Sequence, residues 1–184
     1  SPADYRQIFV YSEAVANIVF VDKDDNPIGA GTRQEASEKG LICRIVRIFI
    51  FNSKGQLLLQ KRGPNVSIPD KWDDSVAGHV DEGEDYLEAA HREMAEEMGV
   101  KGVELTKVAT YYTERFDPND KRVVGRRFNT LYKTIYDGEV TPDPDEIADV
   151  QWIELPDLKK WLAENPEDFA PGFRDAFKEF QKYI

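Results

Sequence analysis

The sequence predicts a mixed α/β domain in which a mixed or curved sheet is flanked by helices. Three observations predict it. Runs of β-branched and aromatic residues alternate with turn signals through residues 17–62 and again through residues 103–153. Between these two sets, residues 85–98 read as one acidic helix, stopped by Gly99. After them, Phe169, Phe173, Phe177 and Phe180 fall at helical spacing.

The elements follow in order. Asn17–Asp22 is apolar and rich in β-branched residues, so it reads as a strand. Asp24-Asp25-Asn26-Pro27 is a turn, and Ile28–Thr32 is the returning strand. Gln34–Lys39 is a short polar helix. Ile42–Phe51 is a run of β formers, and Asn52-Ser53-Lys54-Gly55 turns the chain into a partner strand at Gln56–Arg62. Gly63–Lys71, with Pro64 and Pro69, is a loop, and residues 72–83 lead into the acidic helix. Val103–Phe116 and Arg126–Tyr136 are strands joined by the polar turn Asp117–Lys121, and Val150–Ile153 is a short strand. Pro156–Ala163 and Glu167–Tyr183 are helices, and the phenylalanine stripe of the second is read as core packing.

Bulk properties narrow the classes of function. The length, 184 residues, fits one domain spanning 1–184, with 1–16 as an N-terminal extension and 156–184 as C-terminal helices. Hydrophobic content of 41% and charged content of 32% suit a soluble globular chain. No stretch approaches the roughly 18 apolar residues of a membrane span, so no membrane association is expected. Ser1–Val10 lacks a basic region followed by an apolar run, so no signal peptide is expected. Cys43 is the single cysteine, which excludes an internal disulfide and a cysteine-based zinc site. A cytoplasmic location is the expectation. The net charge of −11 argues against nucleic-acid binding, which needs a basic surface. It would also repel a phosphorylated substrate unless a cation intervened.

Residues 78–100 carry the chemistry: GHVDEGEDYLEAAHREMAEEMGV. Glu93, Glu96 and Glu97 are spaced i, i+3 and i+4, so they project from one helix face. Leu87, Ala90, Met94 and Met98 are expected to form an apolar stripe beside them. Asp81, Glu82, Glu84, Asp85 and Glu88 add further acid, with only Arg92 and the weakly basic His91 in opposition. Crowded carboxylates without counter-charges invite an external cation, and oxygen ligands select a hard one, Mg²⁺ or Mn²⁺. On spacing alone, a solvated acidic helix accounts for the same residues.

The rest of the segment decides between them. Gly78, Glu84, Arg92, Glu93, Glu96, Glu97 and Gly99 reproduce G-x5-E-x7-R-E-U-x-E-E-x-G-U, with Met94 and Val100 at the apolar U positions. Seven fixed residue types at ordinary usage match by chance with a probability of roughly 10⁻⁸ per start position. This segment resembles the Nudix box, and the strand pattern on both sides is similar to the Nudix family over most of the chain. The resemblance implies an α/β/α sandwich with a mixed, curved central sheet. It also implies Mg²⁺-dependent hydrolysis of a diphosphate linkage in a small molecule. By position, it implies that Glu93, Glu96 and Glu97 are metal ligands, that the Gly78 carbonyl is a further metal contact, and that Glu84 and Arg92 form a structural pair. Glycine at 78 permits a close approach that a side chain would obstruct.

The base that takes a proton from water is expected to be Glu93, Glu96 or, outside the box, Glu146. Family members are often dimers, so a homodimer is also implied. The segment says little about the group attached to the diphosphate. A nucleoside diphosphate linked to another moiety is the expected substrate. Arg62 and Arg127 are candidates to hold phosphate, and Tyr112 is a candidate to stack on a base.

Residues 22–33, 41–62 and 72–79 also look like the isopentenyl diphosphate isomerase branch of the same superfamily, where "LLLQKR" and "W…SV-GH" segments recur. In those isomerases a catalytic cysteine precedes the Gly-His pair. Here Ala77 stands in that place, in Ser75-Val76-Ala77-Gly78-His79. The expectation is therefore a hydrolase of the isomerase-like subgroup. Isomerase activity and a non-catalytic nucleotide sensor are the alternatives.

Overall fold

The computed structural model describes residues 16–184, so the predicted N-terminal extension lies, but for residue 16, outside the described residues. In chain order the elements are β1 (Ile18–Val21), β2 (Pro27–Gly31), α1 (Arg33–Lys39), β3 (Ile42–Phe51), β4 (Leu57–Arg62), β5 (Trp72–Asp73) and β6 (Val76–His79). There follow α2 (Tyr86–Met98), β7 (Thr106–Phe116), β8 (Val123–Ile135), β9 (Ile147–Ile153), α3 (Leu155–Glu164) and α4 (Pro171–Phe180).

The nine strands form one large, curved, unclosed sheet. It is mixed because β3 runs parallel to β8 while every other pairing is antiparallel. The β3–β4 hairpin pairs only at Phe51 and Leu57, and then its strands part. β6 takes the freed edge of β3 at Ile45–Ile48, and β5 and β9 take β4. Ser75 spans the opening: its hydroxyl accepts from the Ile50 N–H at 2.9 Å and donates to the Leu58 carbonyl at 2.5 Å. A buried backbone donor and acceptor that the parted ladder would orphan are thereby satisfied.

Strand alternation sends neighbouring residues to opposite faces. Val46, Ile48 and Ile50 of β3 pack with Ala89, Ala90, Met94 and Met98 of α2. Phe49 faces the other way and packs with Leu158 of α3 and Phe173, Phe177 and Phe180 of α4. Helices thus cover both faces of the sheet, the predicted α/β/α arrangement. The phenylalanine stripe is core, with the Phe180 ring centroid 5.3 Å from that of Phe49. No helix among the described residues is long and apolar enough to cross a membrane.

Several boundaries differ from expectation. The predicted helix at Glu167–Tyr183 is a 3-10 turn at Pro166–Asp168, then α4, then a second 3-10 turn at Gln181–Tyr183. Pro171 has no N–H and suits the first helical turn, so α4 starts there. The lead-in at 72–83 contains β5 and β6. The strand predicted at Val150–Ile153 starts earlier, at Ile147, which is buried. Leu87 is 44% exposed and does not belong to the apolar stripe of α2, whose place Ala89 takes.

Candidate active site

α2 starts where the Asp85 side chain accepts from the Glu88 N–H at 2.8 Å. It ends at Gly99, whose φ of 65° is the left-handed conformation that glycine adopts without strain. Asp143 N donates to the Glu97 carbonyl, and Gly63 N donates to the Glu146 carbonyl. These bonds bring the 143–146 turn, and with it Glu146, to the C-terminal end of α2. The nearby Glu146 charge adds to what raises the Glu97 carboxyl, after burial and Glu93.

Arg92 organises the box. Its Nε donates to Glu84 Oε2 at 2.7 Å and its Nη2 to Glu84 Oε1 at 2.9 Å, a bidentate pair. Its Nη1 donates to Glu93 Oε1 at 2.7 Å and to Glu96 Oε2 at 3.3 Å. It also meets Asp81 at 3.3 Å and donates to the His79 carbonyl at 3.0 Å. One guanidinium therefore ties the α2 helix to the loop before it and to β6.

Glu97 is buried, at 5% exposure. Its Oε1 accepts from Gln60 Nε2 of β4 at 2.9 Å, and its Oε2 has no partner. Glu93 lies beside it, under β6, where a Cβ on Gly78 would overlap the Glu93 carboxyl. Burial raises both carboxyls; next to burial, the neighbouring Glu93 charge is what raises Glu97 most. A buried oxygen without a partner costs on the order of 1–3 kcal/mol unless something binds it. An all-oxygen donor set of two adjacent carboxylates fits a hard divalent cation. Glu96 stands apart, with its side chain 59% exposed and turned to Arg92. Among the described residues, no three His, Cys, Asp or Glu side chains converge as a finished ligand cage.

The three predicted substrate residues are not brought together. Arg62 bonds the Ser67 carbonyl at 2.7 Å and Asp73 at 3.0 Å, so it anchors the 63–71 loop. Tyr112 sits on β7, edge-on to Phe128 at 5.4 Å, with its hydroxyl donated to Glu114 at 2.8 Å. Arg127 lies on the opposite face of the sheet, beside Cys43 in register. Cys43 is a buried thiol whose pKa burial raises, and it packs as a small hydrophobe with Ile18, Phe20 and Ala36.

Two residues that sequence reasoning did not select matter here. Gln60 is a lone polar side chain in the buried run Leu57–Gln60, and that contrast was its signal. Arg33 opens α1 and had no signal beyond its charge.

His79 is held near a pKa of about 3, first by burial and then by Arg33, Arg127 and Arg47. In the unfolded chain a histidine titrates at about 6.5, so between the two values the unfolded state holds more protons than the folded state. Stability is thus full above about pH 6.5 and falls as the pH drops toward the folded value, by at most about 1.4 kcal/mol per pH unit. Urea titrations from pH 7 to pH 4 should show this loss, and His79→Gln should flatten it. An unchanged slope in the variant would show that other groups cause it.

Comparison with known proteins agrees with this geometry. Residues 42–175 match the NUDIX domain family. An isopentenyl-diphosphate Delta-isomerase from Burkholderia multivorans is 37% identical over 85% of this chain and 88% of its own length. An uncharacterized Nudix hydrolase from Pseudomonas aeruginosa is 32% identical over 74% of this chain and 77% of its own. A crystal structure of a Deinococcus radiodurans protein superposes with a TM-score of 0.66 at 27% identity, covering 80% of this chain and 89% of that one.

Proposed function

The chain belongs to the Nudix family, and from that membership we propose that it is a Mg²⁺-dependent hydrolase of a diphosphate linkage. The proposed substrate is a nucleoside diphosphate joined to a second group. The observation that carries this reading is the buried Glu97 carboxylate, with one oxygen unpartnered, beside Glu93 under the bare Cα of Gly78.

Glu93 and Glu97 would hold the cation, with Glu96 joining by turning from Arg92 and the Gly78 carbonyl as a further contact. Bound there, Mg²⁺ (or Mn²⁺) supplies charge neutralisation for the diphosphate oxygens and makes water more acidic. Arg92 and Glu84 keep the helix and its carboxylates in place through their bidentate pair. Gln60 Nε2 fixes the Glu97 carboxylate by donating to one oxygen, which leaves the other directed for binding. A carboxylate takes the proton of the attacking water. Glu146 is the proposed base outside the box, because its turn is bonded to the end of α2 and its charge reaches Glu97. Glu93 and Glu96 are the proposed bases inside it. The reading places the enzyme in the cytoplasm, acting on a small molecule as a homodimer.

A second reading has a specific observation behind it: the Burkholderia multivorans relative is named an isomerase. Ala77 speaks against it. It occupies β6 two residues before His79, on the same strand face, and a methyl group can neither donate nor accept the proton that isomerisation must move.

A panel of nucleoside diphosphates, nucleotide sugars, dinucleoside polyphosphates and isopentenyl diphosphate, each with and without Mg²⁺, tests both readings. The expected result is phosphate-bearing product from a nucleoside-linked diphosphate only when Mg²⁺ is present. In the same assay, loss of the true base among Glu93→Gln, Glu96→Gln and Glu146→Gln should lower kcat by about 10²–10⁴-fold. Isomerised product without cleavage would replace the proposal with the isomerase. Binding without turnover of any compound would leave a sensor.

A further inference from the structure

On the face of the sheet opposite α2 lies a second cleft, of about 210 Å³, lined by Arg33, Ser37, Cys43, Ser67, His79 and Arg127 among others. A larger hollow, of about 650 Å³, holds none of the predicted site residues and mixes Glu104 and Lys133 with apolar groups. The smaller cleft differs in its charge. The chain has 35 acidic residues against 24 basic ones, yet no residue lining this cleft is acidic.

Arg127 and Arg33 give the cleft its sign. Among the described residues, neither guanidinium has a carboxylate within ion-pair distance, whereas Arg44, Arg47, Arg62, Arg92 and Arg115 each have one. Arg127 projects from β8 beside Cys43, partly covered. Burial lowers its pKa, and Arg47, Arg115 and Arg33 push the same way, against Cys43. Arg33 comes from the first turn of α1 and is exposed, so it stands at the mouth. A half-buried guanidinium among other cations is costly unless an anion completes it. Ser37 and Ser67 add hydroxyls. Ser67 is held in place by Arg62, which bonds both its carbonyl and its hydroxyl.

We propose that this cleft is a metal-independent binding site for a phosphoryl group, held by Arg127 and Arg33. The planar donor fork of arginine matches phosphate oxygens. The volume limits what enters: small-molecule sites commonly run to about 300–1,000 Å³, so the cleft takes one end of a ligand rather than a whole nucleotide. The site is distinct from the glutamates in sign and in place. Gly78 faces Glu93 on one side of β6, and His79, the next residue, lines the cleft on the other. The phosphoryl group belongs either to the far end of the substrate, which rests on the hydrolase reading above, or to a separate phosphate-bearing molecule.

Calorimetric titration of the full chain with inorganic pyrophosphate in EDTA tests the site without metal or turnover. Without a cation the glutamates repel pyrophosphate, and the arginine variants then report whether the cleft binds it. The expected result is binding by the parent protein that weakens about tenfold or more in Arg33→Gln and in Arg127→Gln, the loss of a charge-assisted hydrogen bond. Glu97→Gln should leave it within about twofold. Arg33 is exposed, so its variant reads the site even where Arg127→Gln does not fold. Absence of binding in EDTA, binding that survives Arg33→Gln in full, or binding abolished by Glu97→Gln would each overturn the proposal. With the diphosphate that the panel identifies, a KM about tenfold higher in Arg33→Gln assigns the cleft to the substrate. An altered rate on adding pyrophosphate, without competition against the substrate, assigns it to a separate molecule. Failure of the panel would leave the EDTA titration to decide the cleft on its own.

Discussion

Glu97→Gln is expected to abolish Mg²⁺-dependent turnover while making the metal-free protein more stable. Changing a group that merely supports a metal ligand costs about 10–100-fold, so losing a ligand itself should cost at least about 100-fold. The stability gain has a separate origin. Burial raises the Glu97 carboxyl, and Glu93 raises it further. A carboxylate whose folded pKa lies above its unfolded value near 4.3 keeps its proton in the folded state over that window. The folded state then binds more protons, and stability falls as the pH rises through it. Glutamine keeps the acceptor for Gln60 and removes the charge. In EDTA, the melting temperature of Glu97→Gln should exceed that of the parent, and the gap should widen from pH 5.5 to pH 8. Adding Mg²⁺ should stabilise the parent and not the variant, since only the parent binds it. Full activity in the variant would remove Glu97 from the metal set. Lower stability at every pH would show that its charge is already compensated without metal.

Arg47→Met should be the most destabilising of the single polar changes. Arg47 is a charged residue inside the apolar strand β3, and its Nη1 meets Asp74 Oδ2 at 2.5 Å. Its Nε donates to Asn129 Oδ1 at 3.0 Å. Asp74 and Asn129 are fully buried. Burial raises the Asp74 carboxyl, and Arg47 pulls it back toward the ionised form. Removing the guanidinium strands Asp74, one of whose oxygens already lacks a partner, and it also strands the amide oxygen of Asn129. Breaking one side of such a pair costs about 3–5 kcal/mol. In a protein of this size that corresponds to roughly 6–20 °C of melting temperature. Calorimetry should find the loss, and the double variant Arg47→Met/Asp74→Leu should recover at least half of it, because no charge is then left buried. A single variant as stable as the parent would mean that water reaches Asp74.

Most of this fold was legible because its periodicities are local. The hairpin turn at Asn52–Gly55, the β formers of β3 and the glycine stop of α2 each act within a few residues. β5 and β6 were not legible. They are two and four residues long, and what makes them strands is the opening between β3 and β4, a tertiary event. The glutamates were legible because one helix carries them at fixed spacing. Gln60, Arg33 and the Arg47–Asp74 pair come from separate elements, and nothing in their local sequence says what they meet. Arg62, Tyr112 and Arg127 each have side-chain chemistry suited to a ligand, which local sequence shows, but their relative placement is tertiary. The sheet separates Tyr112 from Arg127, since strand alternation gives adjacent β8 positions opposite faces.

The parallel register of β3 with β8 has a consequence for how the protein is made. Ile42 lies beside Arg126 and Phe51 beside Ile135, so a strand completed early waits for one synthesised much later. When the ribosome has delivered every glutamate of α2, β3 still has an open, apolar edge on its β8 side. Closing it joins residues far apart in the chain, which is intrinsically slow and leaves the edge available for wrong partners in the meantime. The acidic helix, by contrast, finds its supports in β3, β4 and β6 already synthesised, so it can dock on them while the β8 side of the sheet is still open. Final assembly belongs to the period after residue 135 has emerged, and β3 is the surface that a chaperone would have to guard until then.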